Sequence, residues 1–98
     1  MRNTLDGGEA IVEACRKLEC KYILSSPGTE WAPVWEAMAN QKQSGNSGPV
    51  LMDVWHETLA VDIAMGYTMV TGEMQMVLLH AGAGLLQGNM GIHGAFCA

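Results

Sequence analysis

Apolar and polar positions alternate at two different periods along this chain. Ile11, Ala14, Cys15 and Leu18 recur at helical spacing, while Glu13, Arg16 and Lys17 face away, which predicts an amphipathic helix. Asp6 opens it in a capping-box pattern: its side chain can accept from first-turn amides, and Glu9 follows three residues on. Tyr22-Ile23-Leu24 is a short apolar run ended by Ser25-Ser26-Pro27-Gly28, so it predicts a strand running into a loop. A second helix opens at Thr29 or Glu30 and carries Pro33 in its first turn, where a missing N–H costs little. Trp31, Val34, Trp35 and Met38 make its apolar face, and Asn40 to Pro49 reads as a polar loop.

Val50 to Trp55 forms the next strand and runs onto His56-Glu57. A third helix follows with Leu59, Ile63, Tyr67 and Val70 on one side, and Thr71-Gly72 stops it. Met74 to Leu79 is nearly continuous in apolar residues, as in a strand buried on both faces. His80 to Gly84 is a tight loop, and Leu85 to Ala98 begins another helix. The resulting order, αβαβαβα, predicts an α/β fold: a three-layer αβα arrangement around a parallel sheet. Three strands would leave both sheet edges bare. Residues 1–98 are therefore expected to be part of a larger domain.

Composition narrows the function. The chain has 98 residues, enough for one small domain; 49% are hydrophobic and 15% charged, which fits a folded protein and not a disordered tail. Net charge is −5, and Lys42 is the last basic residue. Phosphate backbones and anionic membrane surfaces need clustered cations, so neither nucleic acid nor a membrane is an expected partner. Cys15, Cys20 and Cys97 are odd in number and lack a CxxC spacing, which fits reduced thiols. The N-terminus has no signal-peptide apolar core. A cytoplasmic location is expected.

In open α/β sheets, ligands bind at the carboxyl ends of the strands. Three loops fall there: Ser26-Pro27-Gly28-Thr29, His56-Glu57, and His80 to Gly84. Glu57, beside Trp55 and ahead of Leu59 and Ala60, has two readings. Burial would raise its pKa and let it share a proton near neutral pH; alternatively, it is a helix-capping acid stabilised by the macrodipole. His56 and His80 are acid–base candidates on composition. A zinc site is not expected, because Ala60 stands where the HExxH pattern needs its second histidine. Gly82, Gly84 and Gly88 follow an apolar strand as GxGxxxG, a loose version of a phosphate-approach pattern. A nucleotide-binding αβ domain built on this loop is thus a competing reading.

Taken in order, these segments resemble the pyrimidine-binding domain of thiamine-diphosphate (ThDP) dependent enzymes of the pyruvate decarboxylase, benzoylformate decarboxylase and acetolactate synthase type. The resemblance rests on Gly7-Gly8-Glu9-Ala10-Ile11-Val12, Ser26-Pro27-Gly28-Thr29-Glu30, His56-Glu57 with Ala64-Met65-Gly66-Tyr67 and Thr71-Gly72, and His80-Ala81-Gly82-Ala83-Gly84. It covers essentially the whole chain and implies that residues 1–98 are the N-terminal part of that domain. In the family, the glutamate matching Glu57 hydrogen-bonds N1′ of the aminopyrimidine and favours its imino tautomer. The resemblance thus favours catalysis over capping for Glu57. It implies cofactor contacts from Glu57, Pro27, Gly28, Gly82 and Gly84, and a substrate-side role for Thr29 and His80, the latter also catalytic in some decarboxylases.

The implied cofactors are ThDP and Mg²⁺, and the implied substrate is a 2-keto acid, handled by decarboxylation or carboligation. The family holds diphosphate and Mg²⁺ in a separate domain with a Gly-Asp-Gly…Asn motif, which this sequence lacks. A homo-oligomer, or a second chain bearing that domain, is the expected partner, and the isolated chain is expected to show no turnover. A non-catalytic interaction fragment remains a further alternative.

Overall fold

A computed structural model describes residues 4–26 and 28–98. Helix α1 (Gly7–Lys17) leads to strand β1 (Tyr22–Ser25) and a 3₁₀ turn (Thr29–Trp31), which runs into α2 (Ala32–Ser44). Then come β2 (Val50–Asp53), α3 (Glu57–Thr71), β3 (Met76–Leu78) and α4 (Ala83–Cys97). The strands form one parallel sheet in the order β2-β1-β3. The expected α/β class and element order are those observed.

Local signals act where the sequence placed them. Asp6 caps α1 in a complete capping box: its Oδ1 accepts from the Glu9 amide at 2.8 Å, and Glu9 Oε1 accepts from the Asp6 amide at 3.1 Å. Pro33 lies in the first turn of α2. Gly72 ends α3 in the left-handed region at φ 74°, where a side chain would be strained. Gly45 ends α2 in the same way, so Asn40 to Ser44, read as loop from their polar composition, are helix, and the connection is only Gly45 to Pro49.

Alternation along β1 divides the core. Ile23 joins Val12 and Cys15 of α1, Val34, Ala37 and Met38 of α2, and Leu78 on one face. Leu24 joins Val54 with Ala60 and Ala64 of α3 on the other, where Val77 and Leu79 also pack. Helix α4 lies against α3, giving three layers.

Three expected faces are shifted. On α1 the buried positions are Gly8, Val12 and Cys15, whereas Ala14 and Leu18 are exposed. Gly8 explains the rotation: a Cβ there would stand 2.2 Å from the Pro33 carbonyl oxygen, so α1 and α2 touch through backbone. On α2 the face includes Ala37, and both tryptophans are only half-buried. On α3 the buried set is Ala60, Val61 and Ala64, while Leu59, Ile63 and Val70 are exposed. The outer strands are also shorter than their apolar runs: β2 stops at Asp53, and β3 spans only Met76–Leu78, with Met76 and Val77 half-buried because the strand is at the sheet edge.

Candidate functional site

Because the three strands are parallel and in register, Ser25 pairing with Asp53 and Leu78, their carboxyl ends finish level at one edge. Main-chain bonds carry the alignment one residue further: the Ser26 amide donates to Leu78 O at 3.1 Å, and the Val54 amide to Ser25 O at 2.8 Å. The loops after β1, β2 and β3 therefore meet. Of the residues expected there, Glu57, His80, Gly28 and Gly84 come together. Pro27 lies outside the described residues.

Glu57 is the first residue of α3 and is half-buried. Its pKa is lowered, chiefly because its carboxylate accepts from its own backbone amide; desolvation opposes this, and the Ser26 hydroxyl, His56 and His80 add smaller lowering effects. The expected upward shift is thus reversed. Nearby in the chain, Trp55 is 94% exposed. The capping function belongs to His56, whose Nδ1 accepts from the Thr58 amide at 3.1 Å. Glu57, accepting from its own amide in the first turn, also keeps the character of an acid stabilised at the helix N-terminus, the alternative that the sequence offered.

Gly84 packs directly against Glu57 and His80. A Cβ at position 84 would lie 2.7 Å from His80 Cβ, 3.2 Å from Glu57 Cγ and 3.4 Å from Glu57 Oε1. Hydrogen at this position lets the start of α4 pack against both the Glu57 and His80 side chains, where any Cβ would crowd them. Further along α4, Gly88 and Gly91 continue the contact: Cβ atoms there would meet Val61 at 3.1 and 2.7 Å. The Gly82, Gly84, Gly88 spacing is therefore largely a packing device that seats α4 on α3. Gly82 precedes α4 at φ 65° with no side-chain cap and open space where a Cβ would point.

Residues that sequence reasoning passed over hold the first and third loops together. Trp31 Nε1 donates to Leu79 O at 2.8 Å. Glu30 Oε1 accepts from the Ala81 amide at 2.7 Å, and both its oxygens lie near His80 Nδ1, at 2.9 and 3.1 Å. Its pKa is lowered, first by its own backbone amide and next by that of Ala81. Thr29 is exposed at the start of the 3₁₀ turn. Ser25, fully buried at the end of β1, has a hydroxyl without a hydrogen-bond partner.

Among the described residues no cluster of three or more His, Cys, Asp or Glu could hold a metal ion. No helix among them is long and apolar enough to cross a membrane. The strand-end edge brings together a carboxylate of lowered pKa, a closely packed glycine and a histidine. A search of curated proteins found no match to the chain. The family described as thiamine pyrophosphate enzyme, N-terminal TPP binding domain, matches residues 5–98, and the chain belongs to this family of ThDP-dependent enzymes.

Proposed function

We propose that this chain supplies the pyrimidine side of a ThDP site, with Glu57 as the group that engages the aminopyrimidine, in an enzyme acting on 2-keto acids. The observation that carries the proposal is the carboxylate of Glu57 at the strand-end edge, brought together with Gly84 and His80 of the loop after β3. Bound there, ThDP would supply the electron sink for cleaving or forming a bond next to a carbonyl.

The protein's own part is proton placement. An ionised Glu57 accepts from a ring N–H. A flat ring lying over it would displace water and push its pKa back up, the direction that proton sharing requires. Gly28, Gly82 and Gly84 keep the backbone close to the ring, and Pro27 belongs to the same loop. Thr29 and His80 stand on the substrate side, where His80 can give or take a proton from a carbonyl oxygen. Mg²⁺ and diphosphate would be held by a separate domain with a Gly-Asp-Gly…Asn motif, from a second copy or another chain.

The reaction class, decarboxylation or acetolactate-synthase-like carboligation, is testable directly. With the diphosphate-binding domain present, 2-keto acids should release carbon dioxide in a ThDP-dependent manner, and product analysis would separate an aldehyde from a 2-hydroxy ketone. Glu57→Gln should lower kcat by about 10²- to 10⁴-fold, the range for losing a positioned acid–base group. Unchanged kcat in Glu57→Gln would remove Glu57 from the mechanism.

A further inference from the structure

We infer that Glu30 is a positioning residue that fixes the tautomer of His80, holding its proton on Nδ1 and leaving Nε2 as the ring's proton-accepting nitrogen. The inference rests on the substrate-side reading of His80 for its functional meaning, but its geometry stands alone.

Glu30 lies in the 3₁₀ turn after β1, and His80 follows β3, fifty positions later. They meet because β1 and β3 are neighbours in the sheet, so their trailing loops share one edge. Both carboxylate oxygens face His80 Nδ1, at 2.9 and 3.1 Å. The Ala81 amide donates to Oε1 at 2.7 Å, so the carboxylate is anchored independently of the ring. An ionised carboxylate only accepts. Nδ1 must therefore carry the hydrogen, and in the neutral ring Nε2 is left with the lone pair.

Two further features reserve this arrangement. A Cβ at Gly28 would come within 2.4 Å of His80 Nδ1 and 2.8 Å of both Glu30 oxygens, so only glycine leaves room for the pair. Trp31, the next residue, donates from its indole to Leu79 O at 2.8 Å and clamps the same two loops. A carboxylate and a glycine thus face one imidazole nitrogen, while a backbone amide anchors the carboxylate and an indole ties the two loops. The same logic orients histidine ligands and general bases elsewhere: a partner on one nitrogen decides what the other can do.

The test reads the tautomer itself. Long-range ¹⁵N–¹H correlation spectra of the full chain, recorded at a pH where the imidazoles are neutral, distinguish Nδ1–H from Nε2–H. His80 is assigned by its loss in His80→Gln. The wild type should show Nδ1–H at His80, and Glu30→Ala should switch it to Nε2–H, the form free imidazole side chains prefer. A wild-type spectrum showing Nε2–H would overturn the inference without any variant. So would a Glu30→Ala protein with unchanged circular dichroism that keeps Nδ1–H. Neither readout needs ThDP, so the dyad can stand if cofactor binding fails, and fail if cofactor binding stands.

Discussion

The two faces of the sheet are built on different principles. On the α1–α2 face, large side chains fill volume: Val12, Ile23, Val34, Met38 and Leu78 are all buried together. On the α3–α4 face, Leu24, Val54 and Val61 are buried beside small positions, namely Ala60 and Ala64 of α3 and Gly84, Gly88 and Gly91 of α4. There the bulky residues point outward, with Leu86, Met90 and Phe96 all more than 70% exposed. The first face is held mainly by burial of apolar area, with one backbone approach at Gly8, and the second also by glycines of α4 seated against the Val61 side chain. Glu57 sits on the second. Close approach of Gly84 fixes the Glu57 side chain in position, which suits the ligand-binding role proposed for it. Large side chains would give more stability but cover the group.

The sharpest way to break this contrast is a cavity on the first face. Ile23→Ala should cost about 2–5 kcal/mol, the range for emptying a buried aliphatic site, measured by urea denaturation. A comparable cost from removing exposed Met90 would erase the distinction. Next comes overpacking of the second face. Gly88→Val must push against Val61 and Leu79, and should cost about 1–3 kcal/mol. It should also move the amide resonances of Glu57 and Thr58, since Thr58 Oγ1 donates to Gln87 O at 2.9 Å. Valine accepted there with no loss of stability would mean that α4 does not rest on α3 through its glycines.

A smaller effect sharpens the electrostatic side. The folded pKa of Glu57 lies below its ordinary 4.5, mainly because of its own backbone amide. Its contribution to stability is therefore present above the unfolded value and lost as pH falls through the folded one. Melting curves between pH 5 and pH 3 should decline less steeply for Glu57→Gln than for the wild type. Equal slopes would place the carboxylate in plain solvent. Smallest of all, Phe96→Ser at an 88% exposed site should change stability by less than about 0.5 kcal/mol.

The same contrast explains what could be read from the sequence. Element order, the Asp6 capping box and the Gly72 stop were legible because they depend on neighbours in the chain. The α2–β2 boundary was not, since Asn40 to Ser44 look like loop residues and only Gly45 marks the end. Helix faces were read from large apolar residues, which works for Val34 and Met38 and fails on α3, where Ala60 and Ala64 do the packing. Glycines at 8, 88 and 91 are core positions that a count of hydrophobic residues ignores. Glu57 and His80 were legible from resemblance, whereas the sign of the Glu57 pKa shift depended on its bond to its own backbone amide. Glu30 was missed because its partner is fifty residues away. The signal that could have found it is the sheet order: once β1 and β3 are neighbours, an acid just after the first and a histidine just after the second must be near each other.

The account depends most on what Glu57 recognises, and the direct measurement is ThDP affinity by titration calorimetry, with the domain that binds the diphosphate present. Wild type and Glu57→Gln would each be compared on ThDP and on a thiazolium diphosphate lacking the aminopyrimidine. The prediction is a loss of about tenfold to a hundredfold for ThDP in Glu57→Gln, as for a charge-assisted hydrogen bond, with no change for the pyrimidine-free ligand. Equal affinity of both proteins for ThDP, or an equal loss on both ligands, would contradict the claim that Glu57 reads the pyrimidine ring.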